Sequence, residues 1–216
     1  MSHKLCVIVG YGPGIGHSLA KAFAHEGHTL ALISRIPGKH ESLRQSLGAA
    51  AHGFAADAGD AASLQTAFAS IRGQLGDPSV LIYNAYSSHP GKPTTLNVDG
   101  LMDDFRINVA GALVATMEVL PAMKASRQGT IIFTGGGLAL QPWAEQASLS
   151  IGKAGLRSLA FTLAQELQGT NIQVGTVTIC GMVKPGTHFD PDKIAASFIG
   201  LHYSSCKPHN VEVVYH

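Results

Sequence analysis

Charged residues are scarce in this chain of 216 residues, and those present nearly cancel. Asp, Glu, Lys and Arg make up 13% of the sequence, and the formal net charge at pH 7 is +1. So little net charge gives no electrostatic reason to bind nucleic acid or an anionic membrane, and we expect neither partner. Hydrophobic residues make up 45%, which predicts a single domain over residues 1–216 with a large core.

Cysteine is also rare. Cys6, Cys180 and Cys206 are odd in number and far apart, which indicates reduced, structural thiols in a reducing compartment and no disulfide framework. The histidines show no paired spacing typical of metal ligands, so no metal site is expected. His25 and His28 are predicted to lie at a solvated helix end.

Long apolar runs are missing as well. The first apolar run, in MSHKLCVIVG, is too short for the core of a signal peptide. The longest mostly apolar stretch, residues 109–123, carries Thr116 and Glu118 and is shorter than the roughly 18 residues of a membrane span. The sequence therefore predicts a cytoplasmic protein.

What the chain does have is a regular alternation of short apolar runs and helical patterns. Strands are predicted at residues 4–10, 28–35, 51–57, 79–85, 129–136, 171–180 and 211–216. Helices are predicted at residues 15–27, 38–47, 60–75, 99–125 and 143–168. Because the strands are apolar throughout, both faces of their sheet should be buried. The pattern predicts an α/β fold: a doubly wound, parallel, seven-stranded sheet with helices on both faces.

A glycine-rich loop, in GYGPGIGHSLA, joins the first strand to the first helix. Three of its glycines have the spacing G-x-x-x-G-x-G, and a fourth lies between them. Glycine permits a tight turn and a close approach of backbone N–H groups to a pyrophosphate at the positive end of the helix. The loop predicts a dinucleotide site, with a plain turn as the alternative. Its predicted cofactor residues are Gly10, Tyr11, Gly12, Gly14, Ile15 and Gly16.

The end of the second strand favours NADP(H) over NAD(H). An acidic side chain there would bind the ribose 2′-hydroxyl of NAD, but the chain has Ser34 and Arg35 and no carboxylate before Glu41. An arginine can stack on the adenine and pair with a 2′-phosphate. The alternative is that Arg35 is a solvated charge at the strand end.

These motifs and others in the same order resemble the short-chain dehydrogenase/reductase family over nearly the whole chain. The matching segments are VGYGPGIG, AADAG, YNAY, FRINVAG, GTIIFTGGGLAL, LSIGK and VTICGMVKPGT. The resemblance implies an oxidoreductase for a small carbonyl or alcohol, and a homodimer or homotetramer formed through the helices at residues 99–125 and 143–168. It adds as cofactor residues Asp57, Ala58, Asn84, Ala85, Lys153, Val183 and Thr187.

The resemblance fails at two positions of the active site. In the family, a tyrosine exchanges a proton with the substrate oxygen, a lysine four residues later lowers the pKa of that tyrosine, and a serine polarises the carbonyl. Here Leu149 stands at the tyrosine position and Gly136 at the serine position, while Asn108 and Lys153 are retained. Since general acid–base catalysis contributes about 10²- to 10⁴-fold, the family's chemistry should be strongly weakened unless another group donates the proton.

Two side chains are candidates for that donor. Tyr86 follows the fourth strand, where ligands of such folds bind, and its alternative role is a pocket wall. His188 lies in the loop after the sixth strand and is suited to proton transfer at neutral pH; its alternative is a solvated loop residue. Ser148 and Ser150 flank Leu149 and are predicted to lie on the helix surface or at an interface.

Two functions stay open from the sequence. One is an NADP(H)-dependent oxidoreductase with an altered proton donor, and the other is an NADP(H)-binding module that acts as a sensor or regulatory protein without turnover. Chemistry without redox is a weaker third hypothesis, because no nucleophile–base pair is evident. The segment at residues 186–194 is too short for a helical lid and predicts an open pocket or a small substrate. Trp143 is predicted as a pocket wall or a core residue.

Overall fold

A parallel seven-stranded sheet forms the centre of the molecule. The structure, a computed structural model, describes residues 4–204 and 211–216. The strands are β1 (Leu5–Val9), β2 (Thr29–Ser34), β3 (Ala51–Ala55), β4 (Val80–Tyr83), β5 (Gly129–Gly136), β6 (Ile172–Ile179) and β7 (Glu212–Tyr215). Their order is β3-β2-β1-β4-β5-β6-β7, and each neighbouring pair is parallel. The predicted doubly wound fold is confirmed.

Helices cover both faces of this sheet. They are α1 (Ile15–His25), α2 (Glu41–Gln45), α3 (Ala61–Leu75), α4 (Val98–Phe105), α5 (Gly111–Ser126), α6 (Ala147–Glu166) and α7 (Pro191–Tyr203). Successive side chains of a strand point to opposite faces. Val7 therefore joins the apolar cluster with α3, α5 and α6, whereas Ile8 joins the cluster with α1 and α7. Both faces are buried, which explains why the strands show no polar alternation.

Three helical predictions need correction. Helix α7 was missed, although Asp190 caps it by accepting from the backbone N–H of Asp192 at 2.9 Å and Pro191 occupies its first turn. The helix predicted at residues 38–47 is a 3₁₀ turn, Pro37–His40, followed by the short α2. The helix predicted from residue 143 begins at Ala147.

The helix predicted at residues 99–125 is continuous but not uniform, because a π-helical turn, Arg106–Ala110, joins α4 to α5. Within the ranges that the structure describes, this Val98–Ser126 segment is the one helix long and apolar enough to cross a membrane by length and composition, with a mean hydropathy of 1.2. The sequence estimate from residues 109–123 was therefore too short. A core helix passes the same test, and Ala112, Ala115 and Val119 of this segment are fully buried in the core.

The carboxyl ends of the strands meet at one edge of the sheet. Val9 pairs with Tyr83, and Tyr83 pairs with Phe133, so the ends of β1, β4 and β5 lie side by side. The chain leaves β1 for β2 on one side, while β4 lies on the other. A crevice opens at such a switch point, and ligands of open α/β sheets bind there.

Candidate active site

The glycine-rich loop lies directly against the end of β4. Gly10 has a φ of +88°, and a Cβ at this position would lie 2.8 Å from the carbonyl carbon of Asn84, so glycine is required there. Helix α1 follows with Gly14 as its N-cap, and no side chain caps the helix. The first backbone N–H groups of α1 are therefore left for an anion, as a pyrophosphate site needs.

Asn84 links this loop to the next strand. Its Nδ2 donates to the carbonyl of Gly10 at 3.0 Å, and its Oδ1 accepts from the hydroxyl of Thr134 on β5 at 3.0 Å. The main-chain carbonyl of Thr134 accepts in turn from Nζ of Lys153 on α6 at 2.7 Å. A chain of three hydrogen bonds therefore connects the glycine-rich loop, β4, β5 and α6.

Lys153 is a buried amine without an acidic partner. Lys153 is 8% exposed, and burial lowers the pKa of its amine from 10.5 to about 8. In the described part of the chain, no carboxylate lies within ion-pair distance of its Nζ. The Nζ lies over the Tyr86 ring, 5.6 Å from the ring centre, so the amine contacts the aromatic face in a cation–π geometry.

Asn108 lies in the π-helical turn and holds the loop that follows β4. Its Oδ1 accepts from the backbone N–H of Ser87 at 2.9 Å, and its Nδ2 donates to the carbonyl of Ser87 at 2.8 Å. Asn108 is 1% exposed and packs on Gly152, where a Cβ would lie 2.9 Å from the Asn108 Cβ. The amide thus fixes the backbone one residue beyond Tyr86.

Asp104 is a fully buried carboxylate that the sequence analysis missed. Its Oδ2 accepts from the backbone N–H of His89 at 2.6 Å and from the hydroxyl of Ser148, and its Oδ1 contacts Nδ1 of His89 at 2.9 Å. Burial raises the pKa of Asp104, but the hydrogen bonds, of which that from Ser148 is strongest, hold it below its usual value. Its position four residues before Asn108, on the same helix face, is a signal that could have found it.

The two departures from the family pattern lie beside Lys153. A Cβ at Gly136 would lie 3.4 Å from the Cγ of Lys153, an ordinary contact, so a serine side chain would fit. Leu149 is half-buried and lies one helical turn before Lys153 on α6. Gly136 therefore lies next to Lys153 in space, and Leu149 lies one turn before it along the helix.

The serines on either side of Leu149 do not lie on the surface, so that prediction was wrong. Ser148 is 1% exposed and donates to Asp104. Ser150 is 4% exposed, donates to the carbonyl of Gln146 at 2.9 Å and accepts from the backbone N–H of Trp143 at 3.2 Å. The start of α6 is enclosed by the loops around it, which sequence periodicity does not reveal.

The surroundings of three further residues bear on their predicted roles. The His188 ring stacks on Tyr215 of β7 at 5.0 Å between centres, and its Nε2 hydrogen-bonds the carbonyl of His216. Trp143 is 62% exposed, which excludes the core role. His28 is 3% exposed, so its prediction as a solvated residue was wrong.

The predicted 2′-phosphate residues lie at the end of β2. Arg35 is exposed, and the buried Oγ of Ser34 has no hydrogen-bond partner within the described residues. Glu41, the next carboxylate along the chain, accepts from Nε of Arg44 at 2.9 Å. An unpartnered hydroxyl and a free guanidinium are groups that a phosphorylated ribose would satisfy.

The remaining cofactor candidates are held by local contacts. Tyr11 is buried, and its hydroxyl contacts Nδ1 of His17 at 3.2 Å. Asp57 accepts from the backbone N–H of Gly59 at 2.8 Å, and the hydroxyl of Thr187 donates to the carbonyl of Lys184 at 2.7 Å. Ala58 and Ala85 are half-buried, whereas Val183 is 37% exposed.

The free cysteines lie apart from one another. Cys6 is buried within β1, and Cys180 is half-buried at the end of β6. Burial raises the pKa of both thiols, which disfavours the reactive thiolate. The predicted structural role is consistent with these positions; Cys206 lies outside the described residues.

The family model described as short chain dehydrogenase matches residues 4–193 of this chain. The chain belongs to this family. Its members are oxidoreductases that bind a nicotinamide cofactor, and in this chain the glycine-rich loop lies against the end of β4 at the carboxyl edge of the sheet.

Three curated relatives illustrate the similarity. The chain is 29% identical over 187 residues to 2,3-dihydro-2,3-dihydroxybenzoate dehydrogenase of Bacillus subtilis, covering 85% of this chain and 69% of the relative. It is 29% identical over 190 residues to 2-(S)-hydroxypropyl-CoM dehydrogenase 3 of Xanthobacter autotrophicus, covering 84% and 74%. An uncharacterized oxidoreductase of Staphylococcus epidermidis is 24% identical over 220 residues, covering 99% and 95%.

Solved structures show the same fold. A metagenomic short-chain oxidoreductase in complex with NADP superposes with a TM-score of 0.89 at 23% identity, covering 99% of this chain and 97% of that one. A short-chain dehydrogenase/reductase from Burkholderia xenovorans gives a TM-score of 0.86 at 21% identity, covering 98% and 94%.

Proposed function

We propose that this chain is an NADP(H)-dependent oxidoreductase that interconverts a small carbonyl compound and its alcohol, with a proton donor other than the family's tyrosine. One observation carries the proposal: the hydrogen-bonded chain from Gly10 through Asn84 and Thr134 to Lys153. It joins the glycine-rich loop, which leads into the uncapped start of α1, to the buried amine of Lys153. We propose that the chain forms a single domain and that the protein lies in the cytoplasm.

The structure fits a dinucleotide with a 2′-phosphate. Helix α1 begins without a side-chain cap, so its N–H groups can bind the pyrophosphate. The exposed Arg35 and the unpartnered Ser34 hydroxyl lie where the adenosine ribose would end, and the nearest carboxylate downstream, Glu41, is paired with Arg44. A 2′-phosphate would be attracted to the Arg35 guanidinium, and the next carboxylate along the chain is already paired, which supports NADP(H) over NAD(H).

The chain's own residues would position the reaction. The bound dinucleotide supplies or accepts a hydride. Lys153 would hold the nicotinamide ribose from its buried position on α6, and Asn108 would fix the loop that closes the site. Tyr86 would form a wall: its aromatic face, and not its hydroxyl, is what Lys153 contacts.

The departures at Leu149 and Gly136 support an altered donor. Neither side chain can exchange a proton, so another group must serve the substrate oxygen. The substrate class follows from the fold's family, in which the relatives are named for dehydrogenation of ring diols and of secondary alcohols. A small aldehyde or ketone, or the corresponding alcohol, is the proposed substrate.

The loss of both groups also favours a second candidate, an NADP(H)-binding module without turnover. Such a protein would keep the dinucleotide residues and lose only those that touch the substrate oxygen. Leu149 and Gly136 fit this description. Both proposed proteins would bind the cofactor, so only a measurement of turnover distinguishes them.

We also propose a homodimer or homotetramer formed through α4, α5 and α6. Apolar side chains on these helices are left exposed at intervals of three or four residues along α4 and α5, as one helix face requires. They are Val98, Met102, Phe105, Leu113, Met117 and Ile151. A second copy of the chain would cover them, which light scattering on the purified protein would detect.

Two measurements test the proposed function. Fluorescence titration should show NADPH binding at least about 10-fold tighter than NADH, and Arg35→Ala should weaken NADPH alone, since a charged hydrogen bond contributes about 1.5–3 kcal/mol. NADPH absorbance should then fall with at least one of 4-nitrobenzaldehyde, ethyl acetoacetate, butane-2,3-dione and cyclohexanone. Binding without turnover on all four would favour the binding module. Failure to bind either nucleotide would refute both functions.

A further inference from the structure

A fully buried carboxylate requires a physical explanation, and Asp104 is 0% exposed. An ionised side chain is costly to bury unless its oxygens are hydrogen-bonded. Both oxygens of Asp104 are: Oδ2 accepts from the backbone N–H of His89 and from the Ser148 hydroxyl, and Oδ1 faces Nδ1 of His89 at 2.9 Å. Two of these contacts go to one histidine, and the Ser87 side chain is a further hydrogen-bond partner of the carboxylate.

The contact fixes the protonation pattern of the His89 ring. An ionised carboxylate only accepts hydrogen bonds, so Nδ1 must carry the proton. The other nitrogen, Nε2, has no hydrogen-bond partner among the residues that the structure describes. The side chain is 57% exposed, so Nε2 can exchange protons with a ligand.

His89 lies in the loop that forms one border of the candidate site. Tyr86 of this loop lies against Lys153, Asn108 holds Ser87, and Asp104 holds His89. Residues 86, 87 and 89 of this loop are thus held by side chains of the segments that carry Lys153, Asn108 and Asp104.

The same network reaches the position of the missing tyrosine. Ser148, which donates to Asp104, directly precedes Leu149 on α6. Two residues past His89, Gly91 bridges to Gln146, just before α6 begins. The His89 ring packs on Gly100 of α4, where a Cβ would approach its Cγ to 3.3 Å and displace it. Charged groups on the flanking segments include Asp99, Asp103 and Asp104 of α4 and the exposed pair Lys92–Glu145, whose charged atoms are 4.0 Å apart.

We propose that His89, oriented by Asp104, is the proton-transfer group that replaces the family's tyrosine. The proposal rests on the oxidoreductase function proposed above. In the reductive direction, the carbonyl carbon gains a hydride from the dihydronicotinamide, which becomes oxidised. The electron pair of the C=O π bond moves to oxygen, and this oxygen takes the proton from Nε2 of the His89 imidazolium. The neutral ring keeps its proton on Nδ1, which donates it in a hydrogen bond to Asp104. Nε2 regains its proton from water.

A matched substitution separates this role from simple loop anchoring. His89→Asn retains an N–H donor where Nδ1 lies, so the contact with Asp104 is preserved, but an amide cannot transfer the proton. His25→Asn is the control, because the His25 side chain is 90% exposed and lies at the end of α1. Asp104→Asn replaces the orienting carboxylate with an amide, which has only one oxygen to accept hydrogen bonds.

The kinetic comparison uses the fastest substrate of the four-compound panel. His89→Asn should lower kcat by about 10²-fold or more and leave the Kd for NADPH and the melting temperature within error. Asp104→Asn should also lower kcat, because the His89 ring loses the carboxylate that orients it. His25→Asn should match the wild type.

Three results would overturn the inference. If His89→Asn retains kcat within about 3-fold, the residue only anchors the loop, while the oxidoreductase function stands. If Tyr86→Phe loses kcat and His89→Asn does not, the phenol is the donor. If the wild type binds NADPH but turns over no member of the panel, the oxidoreductase function fails, and His89 has no reaction to serve.

Discussion

The Nζ of Lys153 donates a buried hydrogen bond of 2.7 Å to the main-chain carbonyl of Thr134. This bond supplies a neutral acceptor but no counter-charge. The amine therefore remains costly to charge, which is why its pKa is lowered to about 8. A side chain kept at such a cost is expected to serve function more than stability.

Replacing this amine should stabilise the protein. The unfolded chain keeps the lysine protonated up to a pKa near 10.5, whereas the folded chain loses the proton near 8. The penalty is therefore complete below pH 8 and fades as the pH rises to 10.5. Lys153→Met should gain up to about 3 kcal/mol at pH 7 and lose most of this gain at pH 10, while abolishing NADPH oxidation.

Urea unfolding at the two pH values measures this difference. The exposed Lys39→Met is the control and should show no pH-dependent gain. An equal gain for Lys153→Met at pH 7 and pH 10 would show that burial does not depress the pKa of Lys153.

Restoring the family's two missing groups should raise turnover. A serine at Gly136 would contact Lys153 at ordinary distance, and a tyrosine at Leu149 would lie one turn before it. The double variant Gly136→Ser/Leu149→Tyr should increase kcat by at least about 10-fold, since acid catalysis contributes about 10²- to 10⁴-fold when a donor is well placed. Gly136→Ser/Leu149→Phe adds the ring without the hydroxyl and should show no increase. Equal rates for the two variants would mean that position 149 does not face the substrate.

The glycines of the phosphate-binding loop should differ in tolerance to alanine. Gly10→Ala combines a positive φ with a Cβ 2.8 Å from the Asn84 carbonyl carbon, and should cost about 2–5 kcal/mol. Gly14→Ala has a φ of +84° but nothing within 4 Å, and should cost about 1–2 kcal/mol. Gly12→Ala, without a positive φ, should be nearly neutral. Urea unfolding gives the three values, and equal costs at Gly10 and Gly14 would show that β4 does not approach the loop so closely.

The buried His28 should make the fold sensitive to acid. Burial, with a smaller contribution from the charge of His202, lowers the pKa of His28 from 6.5 to about 4. The unfolded chain binds a proton as the pH falls through 6.5, whereas the folded chain does not until about 4. Stability should therefore be complete above pH 6.5 and fall by up to about 3 kcal/mol towards pH 4.

His28→Leu should flatten this dependence in unfolding experiments between pH 7 and pH 4.5. Some slope should remain, because burial also lowers the pKa of His202. His25→Gln, at an exposed side chain, should leave the wild-type slope unchanged. A His28→Leu protein with the wild-type slope would place the acid sensitivity elsewhere.

The sequence reports well on features that depend on neighbours in the chain. Apolar runs such as that of β1 predicted strands buried on both faces, and the sheet confirms this. The glycine spacing predicted the turn at Gly10, because only a residue without Cβ adopts its positive φ against β4. Helix α7 was missed because its start, in PDKIAASF, was interpreted as part of an open loop.

Contacts between elements were decided by the tertiary structure. Asp104, for example, contacts His89, which lies 15 residues before it in the chain, and Ser148, which lies 44 residues after it. Nothing in the sequence indicates that these three side chains meet. Periodicity shows which face of a helix is buried and not what that face meets. The alternation of apolar strands and helices therefore determined the sheet and the place of the cofactor loop. The packing of α4 against α6, together with the loop after β4, determined which polar groups face one another, because a carboxylate excluded from water there needs hydrogen-bond partners.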